Sequence, residues 1–288
     1  MLRAKILVVS ELFWPDGGGA EYATYLILQM LRRHGYEITV LTGTSKPASI
    51  PGIRFYYTPL LRALNRVALR FRLITLTKEG LFQKLLNQHD ALYIPEATYP
   101  LIPLAKKKDL HVIVHMHNYM FVRYHGVKYF FEEDRLNICK EFKIGILHEA
   151  YMQRSIVRTM FMPISYVFYK HDQQWLERVD KLICVSRRQA EIVLKQLPML
   201  RNRIKVVYNP PPPELINDKP VKELDNMPTF IYVGGDSYVK GFHILLQAMR
   251  QLGKRGIKVR FVLANKYSTK NLLALKLLSK KYRSLEIA

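Results

Sequence analysis

Three consecutive glycines, Gly17 to Gly19, stand in "FWPDGGGAEYATYLILQMLRRHGYEITVLT", between an apolar run and a helical pattern. A plain turn needs one glycine at most. Three allow a ligand to approach the main chain, because backbone N–H groups without a Cβ reach a phosphate unobstructed and a helix start adds a positive end. The alternative is a tight turn under packing pressure. A second chemical position is "HVIVHMHNY". His115 and His117 are two apart, so on a strand they share a face, and no third ligand stands at a metal-binding spacing. His117 follows a buried strand, where an imidazole could hydrogen-bond a hydroxyl or stabilise leaving-group charge; a histidine satisfied by the fold is the plainer alternative. The third is Lys240 in "YVGGDSYVKG". A cation at a helix start opposes the dipole, which favours a ligand role over ordinary surface chemistry.

The elements that must carry these residues alternate. "KILVVS" reads as a buried parallel strand, "AEYATYLILQMLRRHG" as a helix closed by Gly35, and "EITVLT" as the next strand,. That is a βαβ unit, which implies a parallel sheet. "GIRFYY", "ALYIP", "HVIVHMH", "DKLICVS" and "IKVVYN" continue the strands, with one long helical stretch expected over Glu141–Arg178. Six prolines in Asn209–Pro228 exclude a core element and mark a linker,. The alternation then restarts with "TFIYVGG", "IKVRFVLA" and "LEIA" separated by two helical patterns. The expected fold class is α/β: a Rossmann-like domain over 1–208, a linker over 209–228, and a second, partial Rossmann-like domain over 229–288 with about three strands,.

Composition bounds the partners. The 288 residues hold 45 Lys plus Arg against 23 Asp plus Glu, a net +22, which favours anionic partners,. Nucleic acid is set aside, since no recognised module is visible and aromatics do not interleave with the basic residues. Cys139 and Cys184 lie far apart, the simplest reading of which is a reducing compartment,. No stretch approaches the ~20 apolar residues of a membrane span, and the short N-terminal apolar run reads as a strand rather than a signal-peptide core. The expectation is a cytoplasmic protein, able to sit peripherally on a membrane face. From Ile38 to Lys78 there is no acidic residue. Arg62, Arg66 and Arg70 recur there every four, against Leu60, Leu64, Val67, Phe71 and Ile74, the pattern of a basic amphipathic helix,. Such a face suits either an anionic bilayer or docking on the sheet with arginines in water.

"PDGGGAE", "RRHGYEITVLT", "VIVHMHNY", "VDKLICVS", "IKVVYNP" and "YVGGDSYVKG" occur in that order over almost the whole chain. Together they resemble the retaining nucleotide-sugar glycosyltransferases of family 4, which have the GT-B fold of two Rossmann-like domains. "HNYMFVR" with its helical insert resembles the branch acting on surface polysaccharides and lipopolysaccharides. The resemblance implies metal-independent transfer of a sugar from a nucleoside diphosphate to the hydroxyl of a glycan or lipid-linked acceptor, with no cofactor. It implies a donor cleft with Gly18 and Gly19 by the donor phosphates, His117 by the sugar, and Gly234 and Lys240 on the diphosphate.

The chain departs from the family in two places. Gly235 stands where the family has arginine, and the pair of glutamates seven residues apart is missing after the linker, where Asp236 and Glu286 are the only acids. Glu133, Glu141 and Glu149 have a comparable spacing but precede the linker and are expected on solvated helix faces. The alternative expectation is therefore a catalytically incomplete GT-B-like subunit, or half of a split enzyme completed by a second chain.

Overall fold

The computed structural model describes residues 4–63, 65–95, 97–129, 131–213 and 227–288. The chain forms two units, 1–212 and 213–288. Most of the expected linker, 214–226, lies outside the described residues.

The first unit is a seven-stranded parallel sheet: β1 Lys5–Ser10, β2 Glu37–Thr42, β3 Arg54–Tyr57, β4 Ala91–Ile94, β5 His111–Met116, β6 Lys181–Cys184 and β7 Ile204–Val206. Their spatial order is β3-β2-β1-β4-β5-β6-β7. The order reverses between β1 and β4, so the sheet has a switch point there, where open α/β sheets leave a crevice at the strands' carboxyl ends. Register along β1 runs from Lys5 opposite Glu37 to Ser10 opposite Thr42.

Side chains of β1 alternate between two cores. Leu7 and Val9 join Leu41, Leu92 and Val112 on one face. Ile6 and Val8 join Ile38, Val40 and Tyr93 on the other. Strands buried on both faces are what continuous apolar runs such as "KILVV" dictate. Helix α1 (Gly19–Arg33) covers the second face through Leu28, with Tyr25 and Leu31 packed beside it. Helices α2 (Arg66–Leu76), α3 (Gly80–Gln88) and α4 (Ile102–Lys107) cover the first.

Two sequence expectations change here. Helix α2 begins only at Arg66, where Asn65 caps it by accepting from Ala68 N–H at 2.8 Å. Its buried stripe is Leu69, Leu73 and Leu76, whereas Phe71 and Ile74 face outward. The sheet selected the other apolar row. Arg70 is not in water either: it is ion-paired with Asp172 at 2.5 Å and lies over the Phe168 and Trp175 rings. Leu64, also assigned to the expected face, lies outside the described residues.

The long helix expected over 141–178 is broken. Helix α5 (Ile138–Leu147) runs into a π turn at His148–Met152. Arg154 then adopts a positive φ of 48°, and Ser155 caps helix α6 (Ile156–Trp175) by accepting from Arg158 N–H at 3.2 Å. Glu141 and Glu149 are buried, not solvated. Glu141 pairs with Lys170 at 2.6 Å and accepts from the Tyr166 and Tyr169 hydroxyls; Glu149 pairs with Arg158 at 2.8 Å. Helix α7 (Arg187–Gln196) completes this unit.

In the second unit β8 Thr229–Tyr232, β9 Val259–Leu263 and β10 Leu285–Ile287 form a parallel sheet in the order β10-β9-β8. Helices α8 (Phe242–Lys254) and α9 (Thr269–Lys281) close a core of Phe242, Met249, Val259, Phe261, Leu275 and Leu285.

Candidate functional site

The three glycines do different jobs. Gly17 has φ +91°, and a Cβ there would lie 2.3 Å from the Glu21 carboxyl carbon. Its identity is therefore fixed by the fold. Gly18 and Gly19 are different: a Cβ at Gly18 meets only the Glu21 carboxylate at 3.9 Å, and one at Gly19 meets nothing within 4 Å. Nothing in the chain itself demands glycine at 19, and all three residues are exposed. Open space over a helix start is what an incoming anion requires.

Glu21, which sequence reasoning passed over, anchors this turn. Its Oε2 accepts from Gly18 N–H at 2.5 Å. The first main-chain bond of the helix is Tyr22 N–H to Gly18 O, so the N–H groups of Gly19 and Ala20 precede the ladder and point out of the helix end. Of the two expected phosphate-facing glycines, then, Gly19 offers its N–H while Gly18 has committed its own. The only signal for Glu21 was an acid in the first helical turn, which also reads as ordinary dipole compensation.

The loop entering that turn is held from the neighbouring strand. Thr44 Oγ1 accepts from Phe13 N–H at 2.9 Å and donates to Phe13 O at 3.2 Å.

His117 lies one residue past β5, at the same carboxyl edge of the sheet. Both of its ring nitrogens are shielded from solvent and have no hydrogen-bond partner among the described residues. A buried polar group left unpaired is costly and points to an absent partner. Burial pushes its pKa down to about 4, against a small upward pull from the Glu21 carboxylate. Glu21 thus links the glycine turn to the imidazole. The His115 ring lies against His117, tilted by 38°, with ring centroids 4.2 Å apart. It is bonded through Nδ1 to the Tyr93 hydroxyl at 2.6 Å. Burial, helped by His117, lowers its pKa to about 3. Both imidazoles are therefore neutral at neutral pH, and His117 presents hydrogen-bonding nitrogens rather than a fixed positive charge. Among the described residues no group of three or more His, Cys, Asp or Glu gathers to hold a metal.

In the second unit Lys240 ends a single 3-10 turn, Tyr238–Lys240, directly before Gly241, whose φ is +80°. Lys240 is exposed. Gly234 has an internal reason to be glycine: a Cβ would lie 2.5 Å from the Tyr232 hydroxyl and 3.0 Å from Lys240 Cβ. Tyr232 in turn donates to Lys240 O at 3.1 Å. Gly235 adopts φ +59°, a conformation that an arginine side chain would occupy only with strain. Asp236 accepts from Ser268 N–H at 2.8 Å and the Asn271 amide at 3.0 Å, at the start of α9.

These features belong to a recognisable class. The family model described as Glycosyltransferase Family 4 matches residues 17–215, and the chain belongs to that family. Solved structures agree in fold. Sucrose-phosphate synthase from Thermosynechococcus elongatus superimposes with TM-score 0.65 at 14% identity, covering 99% of this chain and 70% of that one. WaaG, a glycosyltransferase involved in lipopolysaccharide biosynthesis, gives 0.60 at 10% identity over 98% and 69%. The catalytic domain of starch synthase IV from Arabidopsis thaliana gives 0.58 at 9% over 99% and 74%. No curated protein matches significantly. The two parallel-sheet units are those of the GT-B fold.

Proposed function

We propose that the protein transfers a hexosyl group from a nucleoside-diphosphate sugar to a hydroxyl of a glycan or lipid-linked acceptor in surface polysaccharide biosynthesis, with retention at the anomeric carbon and without a metal or cofactor, at the cytoplasmic membrane face. The observation that carries the reading is the half-buried His117, whose two shielded ring nitrogens are unpartnered among the described residues, with a glycine turn that has room for a ligand. Gly18 and Gly19 border the donor phosphates, Gly19 with a free N–H. A neutral His117 hydrogen-bonds the sugar or the leaving phosphate oxygen. In the second unit Gly234 lets Tyr232 pack beneath Lys240, whose ammonium neutralises diphosphate charge. Retention and metal independence rest on the family resemblance.

A second reading is favoured by one observation. The two acids of the second unit's sequence after the linker are both engaged, Asp236 at the start of α9 and Glu286 with Arg260 at 2.9 Å. Among the described residues of that unit neither side-chain carboxylate is left without a partner. On that reading the chain binds donor and a partner chain completes transfer.

A panel of nucleoside-diphosphate hexoses labelled in the sugar separates the two. Label reaching an acceptor with the isolated chain supports the enzyme; nucleotide binding without turnover supports the partner subunit. His117→Ala is expected to lower transfer about 100-fold while leaving the fold intact, and Lys240→Ala to weaken donor binding about tenfold. Donor affinity and turnover unchanged in both variants would remove these residues from the site.

A further inference from the structure

A cavity of about 650 Å³ lies in the first unit, between α2 and α6. None of Gly17–Gly19, Glu21, His115 or His117 lines it. Its size is that of a small-molecule site, roughly 300–1,000 Å³. Its rim carries exposed apolar residues, Phe71, Val157, Phe161 and Ile164, all more than half exposed, beside the exposed polar Asn65, Gln153 and Arg158. The buried residues along it include polar ones: His125, His148 and Glu149 are each less than one-tenth exposed. His125 Nδ1 has no hydrogen-bond partner among the described residues, while its Nε2 faces Glu132 at 3.3 Å.

The apolar rim continues outward. On α6, Ile156 is 80% exposed, Met160 73% and Val167 64%; Ile138 and Leu147 of α5 and Tyr151 of the π turn add to the same segment. An apolar surface this extended marks an interaction face. Its charge selects the partner. The segment's three acids are all paired: Glu141 and Glu149 are buried against Lys170 and Arg158, and the half-buried Asp172 is paired with Arg70. Its exposed cations are Lys140, Lys143, Arg154 and Arg158, of which Lys140 pairs with the exposed Glu133 and Arg158 with Glu149. Apolar side chains beside exposed cations, with the segment's own acids shielded, complement an anionic bilayer, to which each cation near the surface adds about 1 kcal/mol. No described helix is long and apolar enough to cross a membrane, so the contact is interfacial.

We propose that this cavity takes an amphiphile from an anionic bilayer on which α6 lies, with the polar head within reach of His125 and the hydrocarbon chain passing over the Phe161 rim into the lipid. The membrane surface is thus assigned to α5 and α6 rather than to the arginines of α2. The binding stands apart from glycosyl transfer; only the further statement that the amphiphile is the acceptor rests on that reaction.

Two binding experiments test it, neither reading transfer. Vesicles of phosphatidylcholine with about one-third phosphatidylglycerol should sediment the protein, and pure phosphatidylcholine vesicles should not. High salt and the double variant Phe161→Ser/Ile164→Ser should each weaken sedimentation about tenfold. Both positions are exposed, and an unchanged thermal melt confirms the fold. Decyl phosphate below its micelle concentration should bind saturably without vesicles, and Ser165→Trp, which fills the cavity, should abolish that binding. Equal sedimentation by the double variant overturns the bilayer contact. So does a dimer in sedimentation velocity that the same double variant breaks, because a second copy then covers the face. Absence of saturable decyl phosphate binding, or its persistence in Ser165→Trp, overturns the cavity.

Discussion

Gly17 and Gly19 show how identical residues acquire different reasons. Gly17 is held by a left-handed backbone and by the Glu21 side chain; Gly19 has empty space where a Cβ would go. Gly17→Ala should therefore destabilise the fold by about 1–3 kcal/mol, read from denaturant unfolding. Gly19→Ala should leave stability within about 0.5 kcal/mol of wild type and weaken nucleotide-sugar affinity about tenfold, read by calorimetry. Equal destabilisation by both would make the whole run a packing feature. The two neighbouring imidazoles make a pH prediction. Burial lowers the folded-state pKa values of His115 and His117 to about 3 and about 4 from 6.5. Below about 6.5 the unfolded chain takes up protons that the folded chain refuses, so stability falls as pH drops through this window, by at most about 1.4 kcal/mol per pH unit per histidine. His117→Asn should flatten the melting temperature against pH between about 6.5 and 4.

At the scale of elements, strands were legible because a strand buried on both faces writes itself as an apolar run, and β1, β2, β4 and β5 all do so. The insert between β5 and β6 was not. Its apolar positions satisfy several helical phases at once, so nothing local chose which face turns inward or where α5 ends and α6 begins. Buried polar groups tie the two helices instead, Glu141 of α5 to Lys170, Tyr166 and Tyr169 of α6, and a second buried network holds the loop that precedes them. The Arg123 fork donates to Glu132 Oε2 at 2.6 Å, Val122 O at 2.6 Å, and Glu133 O and Asp134 O at 2.7 and 2.9 Å. Both the Arg123 and Glu132 side chains are completely buried. Desolvation pushes the Glu132 pKa up, but hydrogen bonds and charge from His125 and Arg123 outweigh it and leave it low. Arg123→Ala strands that carboxylate and should cost about 3–5 kcal/mol. Arg123→Lys should recover little, since one ammonium cannot span four acceptors in a plane. Chemical denaturation of the two variants checks this. The same reasoning explains why α2 turned its other apolar row inward: the sheet offered a groove for Leu69, Leu73 and Leu76, and Arg70 found Asp172 of α6, 102 residues away.

Over the whole molecule, the net charge of +22 announced anionic partners without locating them. Each unit has its own core, but the cores are unequal. Residues 1–212 carry seven paired strands and should unfold as one cooperative transition when expressed alone, monitored by circular dichroism. Residues 227–288 carry three strands and should not fold alone to comparable stability. The sequence by itself determined the parallel α/β units, their break at the proline-rich stretch and the edge of the sheet on which Gly19 and His117 stand, because strand burial, proline and glycine act locally. Tertiary structure alone decided that Gly18 gives its N–H to Glu21, that Glu141 and Glu149 leave the surface, and that the apolar face lies on α6. Those outcomes depend on which distant groups arrive to desolvate or pair a side chain, and no local pattern records that.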